Sequence, residues 1–98
     1  MTRRDLPLPA LMDRFAVARG MPADGDWAAA AAGRFMLDDV REEVMVRELT
    51  EALAIVEGSG EGPQELFGPG PEWARQRRAE AVSAGEPVLA EDLSLIHI

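Results

Sequence analysis

Apolar residues recur at intervals of three and four along one stretch of the chain: Met45, Leu49, Ala52, Leu53 and Val56, flanked by Val46. That period predicts a helix over residues 40–57 with one buried face. On its other side Glu43, Arg47 and Glu51 stand four apart, an order in which each Glu-before-Arg pair adds roughly a few tenths of a kcal/mol on a wet surface. Asp38 and Asp39 precede Glu42 and Glu43 by about three residues. They read as the N-cap of this helix, in preference to the acidic point where one longer helix continues.

Downstream, Gly58-Ser-Gly-Glu-Gly62 ends the helix, because glycine tolerates the left-handed backbone at a helix C-terminus. Pro63 suits the first position of a short helical turn whose apolar pair is Leu66 and Phe67. Gly68 stops that turn, Pro69 and Gly70 make a corner, and Pro71 opens a further helix with Glu72 in its first turn. Trp73, Ala74, Arg77 and Ala81 line its inward side as far as residue 84. Gly85-Glu-Pro87 then begins an extended, disordered exit.

Upstream, residues 1–9 are polar and carry prolines. A short helix is expected from Pro9 to about residue 19, with Leu8, Leu11, Met12, Phe15 and Ala16 on one face and Gly20 as its stop. Met21-Pro-Ala-Asp-Gly-Asp26 has the composition of a turn, and Asp26 is a fair N-cap for a helix over residues 27–37. There Trp27, Ala28, Ala31 and Phe35 face inward. The fold class expected is all-α, a small hairpin or bundle of short helices with no sheet. Its organisation is an N-terminal segment 1–26 with a short helix, a helical domain 27–84, a linker 85–92 and a tail 93–98. The expected core is Phe35, Met45, Leu49, Leu53, Val56, Leu66, Phe67 and Trp73, with Gly68 and Pro71 as stop and start. Leu66, Phe67 and Trp73 double back over Leu49, Leu53 and Val56.

Composition narrows the partners. Ninety-eight residues make one small domain with a low buried fraction, so a partner or a larger context is expected. A net charge of -8 repels phosphate backbones, which sets nucleic acid aside. Every basic residue is arginine, as GC-rich codon usage would give. There is no cysteine, which fits a reducing compartment. The N-terminal stretch has no apolar signal region, and no run is long enough to cross a bilayer, so the expected location is cytoplasmic. The last residues, Leu93-Ser-Leu-Ile-His-Ile98, resemble a translated sequencing adapter. They are expected to be an artefactual tail, with the natural chain diverging near Asp92.

No constellation for catalysis emerges. Asp38, Asp39, Glu42 and Glu43 have spacings that can share a cation, but a solvated acidic helix start accounts for them. Ser59 sits among glycines without a histidine to activate it, and the one histidine, His97, lies in the tail. Arg75-Gln-Arg-Arg78 suits either acidic headgroups or, with more weight, an acid-paired helix face. The expectation is a protein that is not an enzyme and needs no cofactor and no metal.

The order Arg-Glu-Leu-x-x-x-Leu over residues 47–53, a glycine-bearing turn, Pro-Gln-Glu-Leu-Phe-Gly and then Pro-Glu-Trp-Ala resembles the HAAS-type helical domain. That domain stands in front of the membrane-spanning helices of bacterial membrane proteins and permeases. The likeness covers about residues 35–80, with Gly68, Pro71 and Trp73 at the marked positions. It departs at Ala52, where that family often has histidine, and at the longer Pro69-Gly70 corner. The resemblance implies a cytosolic interaction or regulatory module, joined to the inner membrane through a further C-terminal part, with a protein partner or self-association. It implies no catalytic residues. The competing expectation is a free-standing small acidic binder, antitoxin-like or an anti-regulator.

Overall fold

A computed structural model of the chain describes residues 7–89. The adapter-like tail with His97, the last residues of the expected linker and the first six residues of the chain lie outside them. The described residues form α1 (Leu8–Ala18), α2 (Pro22–Leu37), α3 (Glu42–Ser59), α4 (Pro63–Phe67) and α5 (Gly70–Ser83). No sheet is present among them, only an isolated antiparallel bridge between Val40 and Leu89. The fold is a small all-α bundle.

The element at its centre is α2. It packs along both α1 and α5, whereas α3 lies chiefly against α1. The sequence reading started α2 at residue 27 with Asp26 as its cap, but the helix begins five residues earlier, at Pro22. Proline's fixed φ suits that first position, and Asp24 places a carboxylate in the first turn. Gly25, taken above for a turn residue, is inside the helix where α1 crosses it. A β-carbon there would lie 3.1 Å from that of Ala16.

The break after α2 falls where the two aspartates stand, for a reason other than the capping expected of them. Asp39 takes φ 58°, a left-handed conformation that aspartate tolerates better than most residues. The Asp39 amide then donates to the Met36 carbonyl and the Val40 amide to that of Phe35, both at 3.0 Å. This is the Schellman pattern that satisfies the last carbonyls of α2. The N-cap residue of α3 is Arg41, with no side-chain cap, and the Asp38 carboxylate accepts from Arg34 instead.

The same device closes α5. Gly85 at φ 84° lets the Glu86 amide donate to the Ala81 carbonyl at 3.1 Å, and the chain reverses. The sequence reading had it leave here as a disordered exit. Residues 86–88 have no regular structure, but they fold back to α3: Val88 is buried, its carbonyl accepts from the Arg41 amide at 2.8 Å, and Leu89 pairs with Val40. A lone valine directly after a proline has no period to betray it, so only the tertiary fold shows this seat.

Candidate interaction groove

All five aromatic residues of the chain meet in one cluster. Trp27 on α2 has its ring centroid 5.7 Å from Phe15, 5.7 Å from Phe67 and 5.1 Å from Trp73. Trp73 also meets Phe35 edge-on at 5.8 Å and Phe67 at 5.9 Å. The Trp27 indole N–H donates to the Gly68 carbonyl at 2.7 Å, which ties α2 to the turn after α4. Offset and edge-on ring pairs of this kind add about 0.5–1.5 kcal/mol each beyond burial.

Phe67 and Trp73 double back, and their aromatic partners include Trp27 of α2, with Phe35 of α2 also meeting Trp73. Leu49, Leu53 and Val56 of the expected clasp are buried in the same core, against which Leu66 and Phe67 pack, while α3 as a whole lies chiefly on α1. Phe35, Met45 and Trp73 are buried; Leu66 and Phe67 are half-buried and packed against the core. Gly68 ends α4 with φ 83°. Pro71 is the second residue of α5, which starts at Gly70 with Pro69 as N-cap. That shift has a cause: a β-carbon on Gly70 would lie 2.7 Å from the Trp27 carbonyl oxygen and 3.2 Å from the Ala31 nitrogen. The first turn of α5 therefore sits directly on the α2 backbone.

α3 leans chiefly on α1 and α5 on α2, and a groove lies between them. Ala52 and Ile55 of α3, Leu66 and Phe67 of α4, and Trp73 and Gln76 of α5 line it. It continues past Trp73 and Gln76 along Pro69, Glu72, Arg75 and Ala79. Ile55 is 48 % exposed at its edge, although Ala52, Leu53 and Val56 around it are covered.

Across the groove runs an ion-pair cluster invisible to the periodicity. Glu48 is buried, and its carboxylate accepts from Arg77 at 2.6 Å and from Arg47 at 3.1 Å. Arg77 also reaches Glu80 at 3.1 Å and Glu51 at 4.0 Å. The hydrogen bond to Glu48 raises the Arg77 guanidinium above its ordinary pKa, with burial opposing it. Arg47 is raised likewise, first by its bond to Glu86 on the returning segment. Arg47 thus reaches Glu48 and Glu86, not the Glu43 and Glu51 expected from helical spacing, and Glu43 pairs with Arg41. A signal for Glu48 did exist: Val44, Glu48 and Ala52 form a row at four-residue spacing, of which the acid is the one polar member.

A second buried acid, Asp24, is held by Arg19 through two parallel bonds of 2.7 and 2.9 Å. It falls three and four residues before Trp27 and Ala28, on the inward stripe of α2. Charged groups that deep require a partner, and a fork-to-fork arginine pair provides one.

Arg77→Met is expected to lower stability by about 1–2 kcal/mol, less than the loss of a fully buried partner because Arg47 still faces Glu48. Urea unfolding measures it. Glu48→Gln combined with Arg77→Met is expected to fall short of the sum of the single effects, as coupled partners do; additive losses would mean that the pair does not interact.

Of the other candidates, Asp38 is engaged by Arg34 and Glu43 by Arg41, and no group of three metal-ligating side chains assembles among the described residues. Ser59 accepts from the Glu61 amide, a turn contact. Arg75 is exposed beside the groove and Arg78 half-buried, neither in an ion pair among the described residues, while Arg77 is acid-paired. No helix among the described residues is long and apolar enough to cross a membrane. Comparison with family models, with curated proteins and with solved structures finds no match to this chain.

Proposed function

We propose that this chain is a non-catalytic helical interaction module, whose working surface is the groove between α3 and α5. One observation carries the reading. A core that gathers every aromatic ring and covers the apolar stripe of α3 leaves Ile55 exposed beside the half-buried Leu66 and Phe67 at an open groove, where apolar side chains stay wet unless another chain covers them. The HAAS-type resemblance supports the same reading. In that setting the module stands on the cytosolic face of the inner membrane, ahead of spanning segments. The second reading, a free-standing acidic binder, is favoured by the strongly negative surface.

A photo-reactive amino acid at position 55, compared with one at Val17, tests the proposal in cells. Val17 is 70 % exposed and does not line the groove. One defined covalent adduct from position 55 and none from position 17 is the expected result; equal labelling from both sites, or none, overturns it. The natural reading frame beyond Asp92 separates the two settings. An apolar run of about twenty residues supports the membrane-protein reading, and a stop codon supports the free-standing one.

A further inference from the structure

We infer that the occupant of the α3–α5 groove is a cationic amphipathic helix of another polypeptide, its apolar stripe on Ile55, Leu66 and Phe67 and its basic flanks on Glu51 and Glu80. The inference rests on the interaction reading above and adds the chemistry of the partner.

Charge selects that chemistry. One guanidinium, Arg77, is shared among three carboxylates: Glu48 at 2.6 Å, Glu80 at 3.1 Å and Glu51 at 4.0 Å. Glu48 is buried and takes the shortest bond, with Arg47 as its second cation. Glu51 and Glu80, each with about 60 % of its side chain exposed, are left on the two lips with more negative charge than Arg77 neutralises. A lysine or arginine arriving at either lip completes the balance, and an acidic segment meets like charge. A second copy of this chain carries the same net charge of -8 and is disfavoured on the same ground.

Geometry selects the helix. α3 and α5 lean on different neighbours, and the groove between them is walled by a helix on either side. A helix laid there places residues spaced three and four apart along the floor. An extended strand finds no sheet edge to pair with at this place, since the isolated bridge lies elsewhere, between Val40 and Leu89.

The test titrates the labelled protein with three synthetic helical peptides of about sixteen residues, roughly four turns. One has a leucine stripe flanked by lysines, one has the same stripe flanked by glutamates, and one is a scramble of the first. Amide shifts in the nuclear magnetic resonance spectrum report the site. The lysine peptide is expected to shift residues 48–55, 66–67 and 73–80, binding about tenfold or more tighter than the scramble. Ile55→Ser is expected to weaken it severalfold while keeping its salt dependence. Glu51→Gln with Glu80→Gln is expected to weaken it and flatten that dependence.

If the glutamate peptide occupies the same residues as tightly, the cationic assignment falls and the interaction reading stands. If no peptide shifts the groove and position 55 also fails to crosslink, both fall. Shifts spread over the acidic surface, or shifts at the groove that grow with protein concentration alone, overturn the assignment in favour of diffuse attraction or self-occupancy.

Discussion

Replacing Trp27 by alanine is expected to remove about 3–5 kcal/mol, the range for truncating a large buried aromatic. No other substitution in the chain should match it. Trp27 is the ring that touches Phe15 from α1, Phe67 from α4 and Trp73 from α5. Its indole N–H also holds the turn at Gly68. Domains of this size have about 5–15 kcal/mol in total, so the variant should unfold at low urea or fail to accumulate. Trp27→Phe separates the two roles: it keeps a ring in the cluster and loses the bond to the Gly68 carbonyl, for an expected loss of about 1–2 kcal/mol from the bond and the smaller ring. A loss below about 1 kcal/mol for the alanine variant would show that the cluster does not organise the fold.

The second large effect is at Gly70. Alanine is normally the better helix former, and Gly70→Ala read locally should stabilise α5. The structure reverses that sign, because the new β-carbon meets backbone atoms of α2, at 2.7 Å from the Trp27 oxygen, and backbone cannot step aside as a side chain tip can. The expected cost is about 1–3 kcal/mol, as for other overpacked sites. A fall in Tm of roughly 4–8 °C per kcal/mol follows for a domain this small. Gly58→Ala is the matched control: it lies in α3 with nothing within 4 Å of its added carbon, and a gain of about 0.4–1 kcal/mol is expected. If both variants move in the same direction, the close approach of α5 to α2 is wrong.

These two residues show where sequence pattern stops informing. The stripes of α1 and α3 are legible because burial on a helix repeats every three to four residues, and Leu11, Phe15, Leu49 and Val56 sit fully covered where that period puts them. Proline and glycine punctuation likewise marks α4 and the neighbourhood of both ends of α5. Pattern does not say which helix lies on which. The chain's most regular amphipathic helix, α3, drew the expectation of a central clasp, yet the centre is the alanine-rich α2, whose small side chains let α1 and α5 approach closely from two sides. Small size is a virtue that hydropathy does not score.

The groove was half legible for the same reason. Leu66, Phe67 and Trp73 stand out as apolar residues in a short, punctuated segment. That Ile55 lines one groove with them, and that Glu48 lies buried against Arg77, depends on how α3 and α5 are placed by their other neighbours. A charge is placed inside only when its counter-ion arrives from another element. Glu48 and Arg77 are 29 positions apart, beyond the reach of any local window.

The seat of Val88 also decides where this unit may be cut. A fragment ended at the last turn of α5, the natural choice from helix boundaries, would strip the valine from its socket. It would leave the Arg41 amide without its acceptor and remove the carboxylate of Glu86 from Arg47. Anyone trimming the protein for crystallisation or fusing it to a reporter should keep the chain through Leu89, and should find that shorter versions are degraded first.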